Sequence, residues 1–112
     1  MSAQPTPETS AASTDFRDEL GKAWAKHRSG HHEEAIEIFK SILQQDAKQT
    51  NALYGLGLAQ RSKGDLQAAI DTFQSCLAEV KAGLAAQPGE DHYEMLQRML
   101  EQRLSETRAN TH

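Results

Sequence analysis

A chain of 112 residues makes one small domain, too small to wall a deep active site around its core. Apolar content of 38% and aromatic content of 5% mean that the core is thin or built from small side chains. A formal net charge of -4 argues against a phosphate-tracking surface, and a lone cysteine, Cys76, excludes an internal disulfide and suits a reducing compartment.

The first segment, Met1 to Thr14, carries two prolines with many Ser, Thr and Ala, and no large apolar residue after Met1. Nothing in it offsets the entropy of ordering, so a disordered, solubilising tail is expected, with a phosphorylated regulatory arm as the alternative. It has neither a basic start nor an apolar core, so it does not read as a secretory signal. No apolar run approaches the ~20 residues that span a bilayer, and the expected location is the cytoplasm. From Phe16 onward the apolar spacing is helical, without strand alternation. Breaks at Ser29-Gly30, at the polar stretch around Asp46 to Thr50, and at Lys63-Gly64-Asp65 predict helices over 15–28, 31–45, 50–63 and 65–86. Pro88-Gly89-Glu90 then precedes a last helix over 91–107, with Asp91 and Glu94 spaced as a capping box, and 108–112 form a frayed C-terminus.

The chain repeats itself. Gly30, Ala35, Ile36, Phe39, Ser41 and Leu43 recur as Gly64, Ala69, Ile70, Phe73, Ser75 and Leu77, each pair 34 residues apart. A helix hairpin of that length is the repeating unit. With Leu53, Leu56-Gly57, Gly64-Asp65, Ala69, Phe73 and, in place of the usual Ala, Cys76, the second unit resembles the tetratricopeptide repeat family. The first unit matches at Gly30, Ala35, Phe39 and Asp46 and departs in its first helix, where Lys22 and Lys26 fall at positions that suit Leu and an aromatic. Either that helix is rotated so that Phe16, Leu20, Ala23 and Trp24 face inward, or Leu20-Gly21-Lys22-Ala23-Trp24 is the matching element with a longer turn. The resemblance covers residues 16–83 as two repeats, 16–49 and 50–83, and implies an all-α superhelix closed by a capping helix.

The resemblance also implies a use for the glycines. Gly57 lets the two helices of its hairpin approach near Ala69, and Ala23 and Ala35 serve the same end in the first unit. Gly64 stops a helix in the left-handed conformation, and Asp65 caps the next. Gly55 falls off that seam, and its place is where an inner wall would meet a bound chain.

Chemical motifs are near misses. Gly55-x-Gly57 has no third glycine and no preceding strand, and Gly21-Lys22 is followed by Ala23 instead of Ser or Thr, so no nucleotide cofactor is expected. His32-Glu33-Glu34-Ala35-Ile36 lacks the second histidine of a zinc-binding helix. His27, His31 and His32 are expected as solvated turn residues holding no metal, because Ser29 and Gly30 interrupt the helix that would align His27 with His31. Cys76 reads as a core residue. Tyr93, Leu96, Leu100 and Leu104 form a stripe that packs on repeat two, with Met95 and Met99 broadening it; core is the expected place of the two methionines, and a Met-rich docking surface is the alternative.

Shape is left as the functional feature. Stacked hairpins curve, and their first helices line a concave surface that takes extended chains or helices. The resemblance places Leu20, Trp24 and Arg28 of the first unit, and Asn51, Tyr54, Leu58 and Arg61 of the second, on that surface. Trp24 and Tyr54 have the chemistry of flat anchors, with Trp24 packing on Tyr54 as the alternative; Arg28 and Arg61 could grip a carboxylate. The expected function is a non-catalytic module that binds a peptide or helix of a partner protein, with no nucleic acid or membrane partner. The alternative is a self-assembling homodimer, since two repeats fall short of the three usually needed.

Overall fold

The computed structural model describes residues 16–110. The disordered tail expected over 1–14 lies outside the described residues. Five helices follow in chain order: α1 (Arg17–Arg28), α2 (His32–Gln45), α3 (Thr50–Lys63), α4 (Leu66–Ala86) and α5 (Asp91–Ala109). There is no strand among the described residues. Each helix packs on the next, and α1 also reaches α3. α5 continues through Ala109, two residues beyond its expected end.

The register of α1 is settled by its turn. In the second hairpin Asp65 N–H bonds Gln60 O at 2.9 Å and Gly64 N–H bonds Arg61 O at 3.0 Å. In the first, His31 N–H bonds Lys26 O at 2.8 Å and Gly30 N–H bonds His27 O at 3.1 Å. The two turns are the same Schellman closure displaced by 34 residues, with Gly30 and Gly64 at φ 88 and 99. No residue is inserted. Ala23 therefore stands at the position of Gly57, and both are buried. The alternative built on Leu20-Gly21 is excluded, because Gly21 is exposed and a methyl added to it would meet nothing within 4 Å. Gly21→Ala should accordingly stabilise the protein by about 0.5–1 kcal/mol, the helix-propensity difference alone. Urea unfolding checks this.

Two expected caps are absent. Asp65 occupies the cap position of α4 and Glu90 that of α5, yet neither side chain accepts a helix N–H. Asp91 is already the first residue of α5, so the proposed capping box is not formed; its carboxylate and that of Glu94 sit in the first turn, where they favour the helix dipole.

The core explains the glycines of α3. From Ala52 to Gly57 every residue of that helix is buried, because α2 covers one side and α4 the other. A Cβ on Gly55 would collide with the ring of Phe39, and one on Gly57 would lie 2.6 Å from Phe73 Cδ1. Both rings are fully buried. Gly55 is thus a second seam residue, facing the preceding hairpin, and the expectation that it opens toward a bound chain is corrected. Gly57 does approach the following helix, with the Phe73 ring as its contact. Trp24 and Leu43 pack against both halves of the core and join them.

α5 closes the stack. Leu96, Leu100 and Leu104 are buried, the Tyr93 ring covers Gly83, and Thr107 extends the stripe with its hydroxyl donating to Arg103 O at 2.6 Å. On the far side of α4 and α5 a shallow cleft has Leu77, Ala78 and Leu104 in its lining, with Gln74, Lys81, Glu101, Ser105 and Arg108 around them.

Candidate functional site

The first turn of α3 and the first half of α5 enclose a cleft of about 450 Å³. Gln49, Thr50, Asn51 and Tyr54 form one wall; His92, Met95, Leu96 and Met99 form the other. The α3 wall is fixed by its cap, where Gln49 Oε1 accepts from Asn51 N–H at 3.0 Å. That leaves the Asn51 side chain free to accept from Trp24 Nε1–H at 3.1 Å, which ties α1 to the edge of the cleft. The α5 wall arises from helix spacing. Met95 and Met99 are four residues apart on the face beside the buried Leu96–Leu100–Leu104 stripe.

Met95 and Met99 are 51% and 37% exposed, and they are the exposed large apolar side chains among the described residues. They do not join the core, as the expectation for a broadened stripe had it. Both sit over the cleft, because the neighbouring Leu stripe is the part of α5 that enters the core, where it meets Leu53 and Tyr54 of α3 as well as α4.

The residues expected on the concave surface divide. Asn51 and Tyr54 line the cleft, although Tyr54 is only 9% exposed and its ring packs 6.1 Å from that of Phe73. Trp24 packs: its ring lies edge-on to Phe39 at 5.4 Å and tilted over Tyr54 at 6.4 Å. Leu20 is buried with Phe16, Ala23 and Ala35 and lies beneath the surface. Leu58 is half-buried against the second half of the core, and Arg28 is exposed at the end of α1. Arg61 already holds a carboxylate of its own chain, since its Nη1 lies 3.2 Å from Glu106 Oε1. Arg103 grips the same carboxylate with two bonds, of 3.0 and 2.9 Å, and its hydrogen bond keeps Glu106 below the usual carboxylate range. The floor between the C-terminal halves of α3 and α5 is therefore an internally paired polar network beside an apolar cleft.

The sequence reading weighs Met95 and Met99 as core against a Met-rich docking surface and expects core; that they face Asn51 and Tyr54 of α3 across a cleft was not foreseen. The signal was present in the Met95/Met99 pair, one position off the Leu stripe.

Other reactive groups are quiet. Cys76 is buried, its thiol donates toward Thr50 O at 3.4 Å, and burial pushes its pKa up to about 12, so it is not a nucleophile at neutral pH. Gln60, buried on α3, accepts from the Thr72 hydroxyl at 2.7 Å. Burial, with His32 and Arg28 nearby, holds the His27 imidazole below its ordinary pKa. No group of three or more His, Cys, Asp or Glu among the described residues could enclose a metal ion, and no helix among them is long and apolar enough to cross a membrane.

A family model described as tetratricopeptide repeat matches residues 27–100, a span from the end of α1 to the middle of α5. No curated protein and no solved structure shows significant similarity to the chain.

Proposed function

Since the chain belongs to the tetratricopeptide repeat family, whose repeats are generally protein–protein interaction modules, we propose that it is a non-catalytic binding module. It takes a segment of a partner protein into the cleft between α3 and α5. One observation carries this reading: the exposed large apolar side chains among the described residues, Met95 and Met99, line the same cleft. Thioethers adapt to irregular apolar surfaces, and a cleft of this kind suits a peptide or helix that inserts an apolar side chain. Asn51 and Gln49 at its edge offer amide hydrogen bonds to the partner's backbone. Arg61 contributes through the Glu106 pair, by holding α3 and α5 at their spacing, more than by direct capture of an acid.

The alternative is a self-assembling homodimer, and light scattering of the purified chain separates the two readings. A cytoplasmic location belongs to the proposal, supported by Cys76 remaining a free thiol.

A pull-down read by mass spectrometry would supply the partner, and calorimetry then tests the site. Met95→Glu and Met99→Glu, on exposed positions that leave the fold intact, should each weaken binding by about 2 kcal/mol or more, roughly thirtyfold. His31→Ala, on the turn between α1 and α2, should change affinity little. Unchanged affinity in both methionine variants would move the binding surface away from this cleft.

A further inference from the structure

The turn between α1 and α2 brings two imidazoles together. His27 Nδ1 and His32 Nδ1 are 3.2 Å apart, with ring centroids 5.1 Å apart and planes inclined at 54°. The backbone that holds them is fixed on both sides by the Schellman closure of Gly30 and His31 described above. His31, which the sequence places nearer to His27, is turned away, its Nδ1 2.8 Å from the Ser29 hydroxyl.

The fold does not need this pair. The identical turn of the second repeat carries Arg61 and Leu66 at the corresponding positions, 34 residues on, and closes with the same backbone bonds. The nearby carboxylates are engaged elsewhere: Glu33 pairs with Lys63 at 2.6 Å and Glu34 with Lys26 at 2.8 Å. What remains is two half-buried imidazoles whose Nδ1 atoms lie side by side at the junction of two packed helices.

Two nitrogens bound at 2.0–2.1 Å to one ion and 3.2 Å from each other subtend about 100° at the metal, close to the tetrahedral angle that zinc adopts. We infer that His27 and His32 form a two-imidazole site for a divalent late transition metal, zinc or copper, with water in the remaining positions. The Nδ1 proton that one ring donates to the other shifts to Nε2 of its own ring, which leaves both Nδ1 lone pairs for the ion. With two protein donors the site is open and exchangeable. It clips α1 to α2 and so favours the folded state.

The test uses the full chain without a histidine tag. Zinc chloride is titrated during thermal unfolding, and copper(II) chloride while Trp24 fluorescence is followed. Trp24 is the sole tryptophan, and its ring lies 6.0 Å from that of His27, within quenching range. Zinc should raise Tm saturably and copper should quench the emission. Either effect should weaken tenfold or more in His27→Gln and in His32→Asn, and persist in His31→Ala and His92→Ala. Circular dichroism confirms that each variant is folded, and His27→Ala and His32→Ala replace any that is not. Absence of both effects in the wild type, or their survival in the His27 and His32 variants, overturns the site and leaves adventitious binding by other histidines only.

Discussion

Gly57→Leu is expected to destabilise the protein by about 3 kcal/mol or more, because the added side chain enters space already held by a buried phenyl ring. Even the first added carbon would lie 2.6 Å from Phe73 Cδ1, and Phe73 is fully buried. Domains of this size hold only about 5–15 kcal/mol in total, so a loss of that order shows as a large fall in the denaturation midpoint. Gly55→Ala provides the sharper comparison. Alanine gains about 1 kcal/mol over glycine by helix propensity, and overpacking against Phe39 should outweigh it by costing about 1–3 kcal/mol. Gly21→Ala, made in the open, should show the propensity gain unopposed. If Gly57→Leu melts with the wild type, or Gly55→Ala is stabilising like Gly21→Ala, the two-sided packing of α3 is wrong.

A chain ending at Ala86 should aggregate or lose helicity. Removing α5 strips Leu96, Leu100 and Leu104 from the second half of the core and leaves Leu53, Tyr54, Val80 and their neighbours facing water. Because such a truncation confounds folding with solubility, Leu100→Ala gives the same answer in a chain of full length. Leu100 is fully buried, and its truncation should cost about 2–5 kcal/mol as a cavity opens between α4 and α5. A monomeric truncation as stable as the full chain, or a Leu100→Ala midpoint equal to wild type, would mean that α5 does not close the stack.

The two predictions rest on different amounts of sequence information. The helices and their breaks followed from apolar spacing and from glycines at turns, which are local properties, and α2, α3 and α4 lie within one residue of their expected bounds. The 34-residue offset was also legible, since the same turn and the same apolar face must recur wherever the same hairpin is built. Buried Leu96, Leu100 and Leu104 could be foreseen from their spacing of four, because a helix that covers a core must present one stripe to it.

The rest was decided between elements. Whether Gly55 faced solvent or Phe39 depended on how α2 and α3 cross, which no window of sequence contains. The register of α1 was open until its turn bonds aligned it with α3, because Lys22 and Lys26 broke the pattern that would have fixed it locally. Arg61 met Glu106 across 45 residues of chain, so its apparent freedom in the sequence was filled by tertiary structure. Met95 and Met99 sit one position from a buried stripe, and only the contact of α5 with α3 determined that they line a cleft instead of the core. The same holds for His27, whose partner is His32 because the Gly30 turn brings the start of α2 back over the end of α1. Periodicity states which residues share a face; what each face meets is set by the angle and spacing at which helices pack, and those depend on all the contacting side chains at once.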